Sequence, residues 1–181
     1  MKKVAVFGNA GGGKSTLSKR LSEITGLPLH VLDKVKYLSG GVEVPYEDYR
    51  CVHQQILDTD QWIIDGFGCM ETIWLQLNNA DSLIFVDLPL RVHFWWITKR
   101  LITGHFDPPV GWHQNSSILK SSMNSYRALW LCHKFLTPKY REYVEKVQST
   151  KSVYHIRSAE QISQFLESIE SEMIFGNGAL A

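Results

Sequence analysis

The stretch Gly8 to Thr16, GNAGGGKST, lies between an apolar run, Val4-Ala5-Val6-Phe7, and a helical pattern that continues through Leu17 and Leu21. Four of its nine residues are glycine. Glycine loses the most backbone freedom on ordering, so a cluster at a strand-to-helix junction points to a main chain wrapped closely around something. The spacing indicates what. Gly8, four residues, then Gly13-Lys14-Ser15 satisfies GxxxxGK followed by Ser or Thr. In such a loop the backbone N–H groups cradle phosphates, the lysine reaches the β and γ phosphates, and the hydroxyl holds Mg²⁺. The helix after the loop adds a dipole favouring an anion at its N-terminus. Gly8, Asn9, Ala10, Gly11, Gly12, Gly13, Lys14, Ser15 and Thr16 are therefore expected to bind ATP, with Ser15 on the metal.

The rest of the chain suits a protein built around that loop. Its 181 residues are enough for one full core, and 44% hydrophobic with 20% charged residues is an ordinary globular balance. Cys51, Cys69 and Cys132 are widely spaced and read as reduced thiols of a cytoplasmic protein. The apolar run at the N-terminus is too short for a signal peptide, and Val92 to Ile102 is broken by Lys99 and Arg100, so no membrane span is expected. The net charge is only +1, but residues 89–141 carry eight Lys or Arg against one acid. A basic block of this kind meets nucleic acid or folds over a polyphosphate, and the glycine loop favours the second.

Apolar runs at Val4–Phe7, Leu29–Leu32, Trp62–Ile64, Ser82–Val86 and Val153–Ile156 predict five strands, apolar on both faces as in a parallel sheet covered by helices. Helices are expected from Thr16 to Thr25, over Tyr46 to Leu57, Leu90 to Leu101, Ser121 to Leu136, Pro138 to Val147 and Ala159 to Ile169, with a frayed tail. The alternation implies an α/β, doubly wound sheet with its ligands at the carboxyl ends of the strands. Asp33, Asp65 and Asp87 each come directly after such a run. GHFDPPVGWHQNSS, within residues 103–117, reads as an excursion from the single domain 1–181.

These residues resemble the P-loop kinases, most closely the adenylate-kinase-like branch that includes bacterial topology modulation (FlaR-related) proteins. The resemblance lies in GNAGGGKST, in Trp62-Ile63-Ile64-Asp65-Gly66-Phe67, and in Asp81 to Pro89 followed by Lys99-Arg100-Leu101-Ile102-Thr103-Gly104. It implies a five-stranded sheet ordered 2-3-1-4-5, an ATP site on the loop, a lid over 103–117 and an acceptor site near the second and third strands. Two departures concern the acceptor. Gly68-Cys69 stands where adenylate kinases have Pro-Arg, and His105 stands at the second lid arginine.

The expected reaction is transfer of the ATP γ-phosphoryl group to a small acceptor. Lys14 holds the phosphates, Arg100 offsets transition-state charge, and Asp65 joins Ser15 on Mg²⁺. Asp33 either contacts the acceptor hydroxyl as base or caps the element after its strand. Asp87 is read as a cap for the turn into Pro89. Arg157 either stacks on the adenine or lies on the surface, and Arg127 or Arg141 is a candidate second cation. The alternative is an ATPase or nucleotide switch acting on DNA topology. Near-neutral charge and the lack of a DNA-reading motif make nucleic acid the less favoured partner.

Overall fold

The computed structural model describes residues 1–38, 42–103 and 126–178, with only the backbone described for Arg100, Leu101, Thr103 and residues 176–178. The strands are β1 (Lys3–Gly8), β2 (Leu29–Val31), β3 (Trp62–Asp65), β4 (Ser82–Val86) and β5 (Ser152–Ile156). They form one sheet, all parallel, in the order β2-β3-β1-β4-β5. The helices are α1 (Lys14–Thr25), α2 (Leu32–Lys36), α3 (Tyr46–Asp58), α4 (Met70–Asn79) and α5 (Leu90–Thr103). Then come α6 (126–131), a π-helical turn (Cys132–Leu136), α7 (Thr137–Val147) and α8 (Ala159–Gly178). Among the described residues no helix is long and apolar enough to cross a membrane.

Successive strand residues point to opposite faces, and here both faces are buried. Ala5, Phe7, Ile64, Leu83 and Phe85 meet residues of α3, α4 and α7, whose Tyr140 packs edge-on against both Phe7 and Phe85. Val4, Val6, Ile63, Ile84 and Val86 form the other core with Leu17 and Leu21 of α1 and Phe165 and Ile169 of α8. Because the chain fills one side of β1 with β2 and β3 and the other with β4 and β5, the order reverses beside β1. Open α/β sheets bind ligands at that place, above the carboxyl ends of the strands.

Several elements differ from the sequence expectation. β2 stops at Val31, so Asp33 stands in the first turn of α2 and not at a strand end. α4 has no counterpart in the expectation: its N-cap is Cys69, whose sulfur and Thr72 make the capping box, in place of the usual Ser or Asp. The chain does not break between Leu136 and Pro138. Proline offers no N–H to continue an α ladder, and the π-helical turn, with Thr137 N–H bonded to the Cys132 carbonyl, carries the helix across. α8 runs to Gly178, well past Ile169. The segment 104–125, and with it nearly all of the expected lid, lies outside the described residues.

Asp87 does not cap a turn. Its carboxylate accepts two bonds from Arg141, at 2.8 and 2.9 Å, and lies 3.0 Å from His155 Nε2. Burial alone would raise this carboxyl, but the Arg141 hydrogen bonds and His155 outweigh it and hold it below the ordinary carboxylate range. A carboxyl lowered by folding adds stability above its unfolded value, near 3.9, and loses it as the pH falls through the folded one. Arg141→Leu is therefore expected to cost about 1–2 kcal/mol near neutrality, since the guanidinium is half exposed and partly screened. That deficit should shrink toward about pH 3, and urea unfolding at both pH values tests it.

Candidate active site

The loop between β1 and α1 is shaped by what lies behind it. Gly8 has φ +134°, and a Cβ there would stand 2.2 Å from the Val86 carbonyl oxygen of β4. Gly11 and Gly13 lie in the left-handed region, at φ +67° and +76°, and side chains on them would meet Ile97 at 2.5 Å and Trp96 at 2.8 Å. Strained backbone and close approach both demand glycine here. At Gly11 and Gly13 the crowding comes from α5, which gives the cleft no lining residue, so these glycines serve packing as well as any ligand.

On the open side is a cleft of about 600 Å³. Gly8, Ala10, Gly11, Lys14 and Ser15 form one side of it, and Asp33, Asp65, Gly66, Phe67 and Met70 another. The remaining wall is one face of the α6–α7 region, where Ala128, Leu131, Cys132, Phe135, Leu136 and Lys139 recur at helical spacing. Asn9, Gly12, Gly13 and Thr16 do not line it. Asn9 is buried and Thr16 is exposed on α1. Lys14 Nζ donates to the Asn9 carbonyl at 2.7 Å, and the Ala10 N–H donates to Asn9 Oδ1 at 2.8 Å. Lys14 has two further N–H donors to offer a phosphate while its bond to Asn9 is kept.

Asp65 closes β3, in register with Val6 of β1 and Val31 of β2. It is 2% exposed, and its Oδ1 has no hydrogen-bond partner. Burial pushes its carboxyl up. Lys14 and the Ser15 hydroxyl pull it back, and the neighbouring Asp33 adds to the rise. An orphaned buried carboxylate oxygen is costly to leave unmatched, and it faces a lysine and a hydroxyl at a helix start. Magnesium takes one or two carboxylates together with substrate phosphates, so Ser15 and Asp65 fit that ion. Among the described residues no three His, Cys, Asp or Glu side chains form a protein-only metal cage.

Asp33 joins the same cleft from α2. Arg157 does not: it directly follows β5, with its guanidinium beside the His155 ring and its N–H bonded to Gln161. Arg141 is held by Asp87, and Arg127 is exposed and absent from the cleft wall. The Arg100 side chain lies outside the described residues. Cys132 lines the cleft as a thiol that burial pushes up, which argues against a reactive thiolate.

No protein-family model matches the chain, and no curated protein matches it by sequence. Solved structures do. The shikimate kinase from Acinetobacter baumannii in complex with shikimate aligns with a TM-score of 0.58 at 15% identity, over 98% of this chain and 94% of that one. The shikimate kinase from Bacteroides thetaiotaomicron aligns at 0.52 and 16% identity, over 93% and 96%. The chain shares the fold of these shikimate kinases, with its five parallel strands in the order 2-3-1-4-5. At these identities the likeness speaks for the fold, and the chemistry has to come from the side chains.

Two features of the site escaped the sequence reading. Lys139 is a cation of the cleft wall, whereas the sequence pointed to the arginines on either side of it. His93, buried on α5, bonds to the loop itself. Its signal was the spacing His93-Trp96-Ile97, which puts all three on one helix face.

Proposed function

We propose that this protein transfers the γ-phosphoryl group of ATP to the hydroxyl of a small acceptor. The observation that carries the proposal is one cleft lined by Lys14, Ser15, Asp33 and the orphaned oxygen of buried Asp65. The loop amides and Lys14 hold the ATP phosphates, as loops of this spacing do. Ser15 and Asp65 hold Mg²⁺, which when bound neutralises charge on the transferring group. Asp33 accepts the proton of the attacking hydroxyl. Arg100 supplies the lid cation.

The acceptor half of the cleft is largely apolar, with Phe67 and Met70 on one wall and Leu131 and Phe135 on the other. It suits a compact hydroxyl compound better than a nucleoside monophosphate, whose charge Asp33 and Asp65 repel. The finer kinship with FlaR-related topology modulation proteins rests on the sequence motifs. A DNA-dependent role draws no added support from this fold.

ADP release measured with panels of small hydroxyl compounds, nucleoside monophosphates and duplex DNA tests the reading. Stimulation by a hydroxyl compound is expected. Stimulation by DNA alone would overturn it.

A further inference from the structure

His93 is 1% exposed in the first half of α5, and its Nδ1 lies 2.8 Å from the Ala10 carbonyl oxygen. A carbonyl only accepts, so Nδ1 carries the hydrogen and the ring is the donor. The same ring abuts the next residues of the loop: a Cβ on Gly12 would stand 2.9 Å from His93 Cε1. Ile97 and Trp96 press on Gly11 and Gly13 from the same helix face. The loop is thus packed along one side of a helix and tied to it through one side-chain donor.

That bond sets the direction of an amide. In a trans planar peptide the C=O and the following N–H point opposite ways. Among the described residues no peptide is cis. With the Ala10 carbonyl turned back to His93, the N–H of Gly11 is turned the other way, toward the cleft that Gly11 lines. A loop holding four glycines in six residues has many other conformers within reach, in which this peptide is flipped and the amide is lost to an incoming anion. Apparent affinity falls in proportion to the population of the competent conformer.

We infer that His93 is a positioning residue for phosphate binding, one that fixes the Ala10–Gly11 peptide so that the Gly11 N–H faces the cleft. The inference rests on the proposed ATP site, and it assigns to His93 a part in nucleotide affinity that acts through the loop backbone.

The test is ATP binding in the presence of Mg²⁺, measured by calorimetry on the wild type and on His93→Leu, His93→Asn and His93→Gln. The Asn amide nitrogen reproduces the place of Nδ1, and the Gln nitrogen reproduces that of Nε2. His93→Leu and His93→Gln should bind ATP about tenfold more weakly, the population of the competent loop having dropped by that factor. His93→Asn should recover most of the wild-type affinity. Melting temperatures are recorded alongside, because a residue that only fills space would make affinity follow stability and not donor position. Equal affinity in all four proteins, or a ranking that follows melting temperature, overturns the inference and leaves the ATP site standing. If His93→Leu does not fold, the Asn and Gln pair decides alone. A wild type that binds no ATP overturns the site and the inference together.

Discussion

Lys14→Ala is expected to lower ATP turnover by about 10²–10³-fold while the protein stays folded, the scale seen when one fixed donor to a developing oxyanion is lost. Lys14 lines the open side of the loop, and its Nζ reaches only the Asn9 carbonyl, so no core depends on it. Its stability cost lies in the charge withdrawn from buried Asp65, on the order of 1 kcal/mol. The small cost should grow as the pH rises. Lys14 pulls the buried Asp65 carboxyl down against the effect of burial, so its removal raises that group further. A carboxyl raised by folding binds its proton more tightly in the folded state, and stability then declines as the pH climbs through the folded value. ADP release, circular dichroism and urea unfolding at two pH values measure all of this. Wild-type turnover in a folded variant would remove the phosphate-binding role.

Asp33→Asn should cut acceptor-dependent turnover by about 10²-fold or more, the contribution typical of a general base, and leave ATP affinity nearly unchanged. The carboxylate enters the cleft from the first turn of α2, across from the loop. The asparagine keeps its size and some of its hydrogen bonds but takes no proton at neutral pH. AMP should be a poor acceptor of the wild type, because Gly68-Cys69 offers no cation and the nearby Lys36 is engaged by Glu43 and the Gly68 carbonyl. Efficient phosphorylation of AMP, or full activity in Asp33→Asn, would show that the acceptor enters by a different chemistry.

The loop, the sheet and Asp65 were legible in the sequence because each depends on neighbours a few residues away. The GxxxxGK pattern with its hydroxyl is local, and five apolar runs found their strands with each end within one residue. What escaped depends on distant partners. Nothing beside Asp87 announces Arg141, which is 54 residues on, and the proline signal after it was the stronger local cue. His93 lies in a helix whose other residues read as core packing, and only the fold brings that face to the loop. α4 went unseen because a cysteine sulfur takes the place of the usual capping oxygen. The role assigned to α6 and α7 centred on arginine, yet the cleft is met by Lys139 and an apolar face.

The glycines of the loop differ in how freely a lineage can replace them. At Gly11 and Gly13 the left-handed backbone strains any side chain, whatever the neighbours become. Gly12 has no such backbone constraint: its nearest obstacle is the His93 ring, with the Asn9 carbonyl and Val86 more distant at 3.3 Å. Positions 12 and 93 should therefore drift as a pair. In descendants with a smaller residue at 93, alanine becomes admissible at 12, and where histidine persists, position 12 stays glycine.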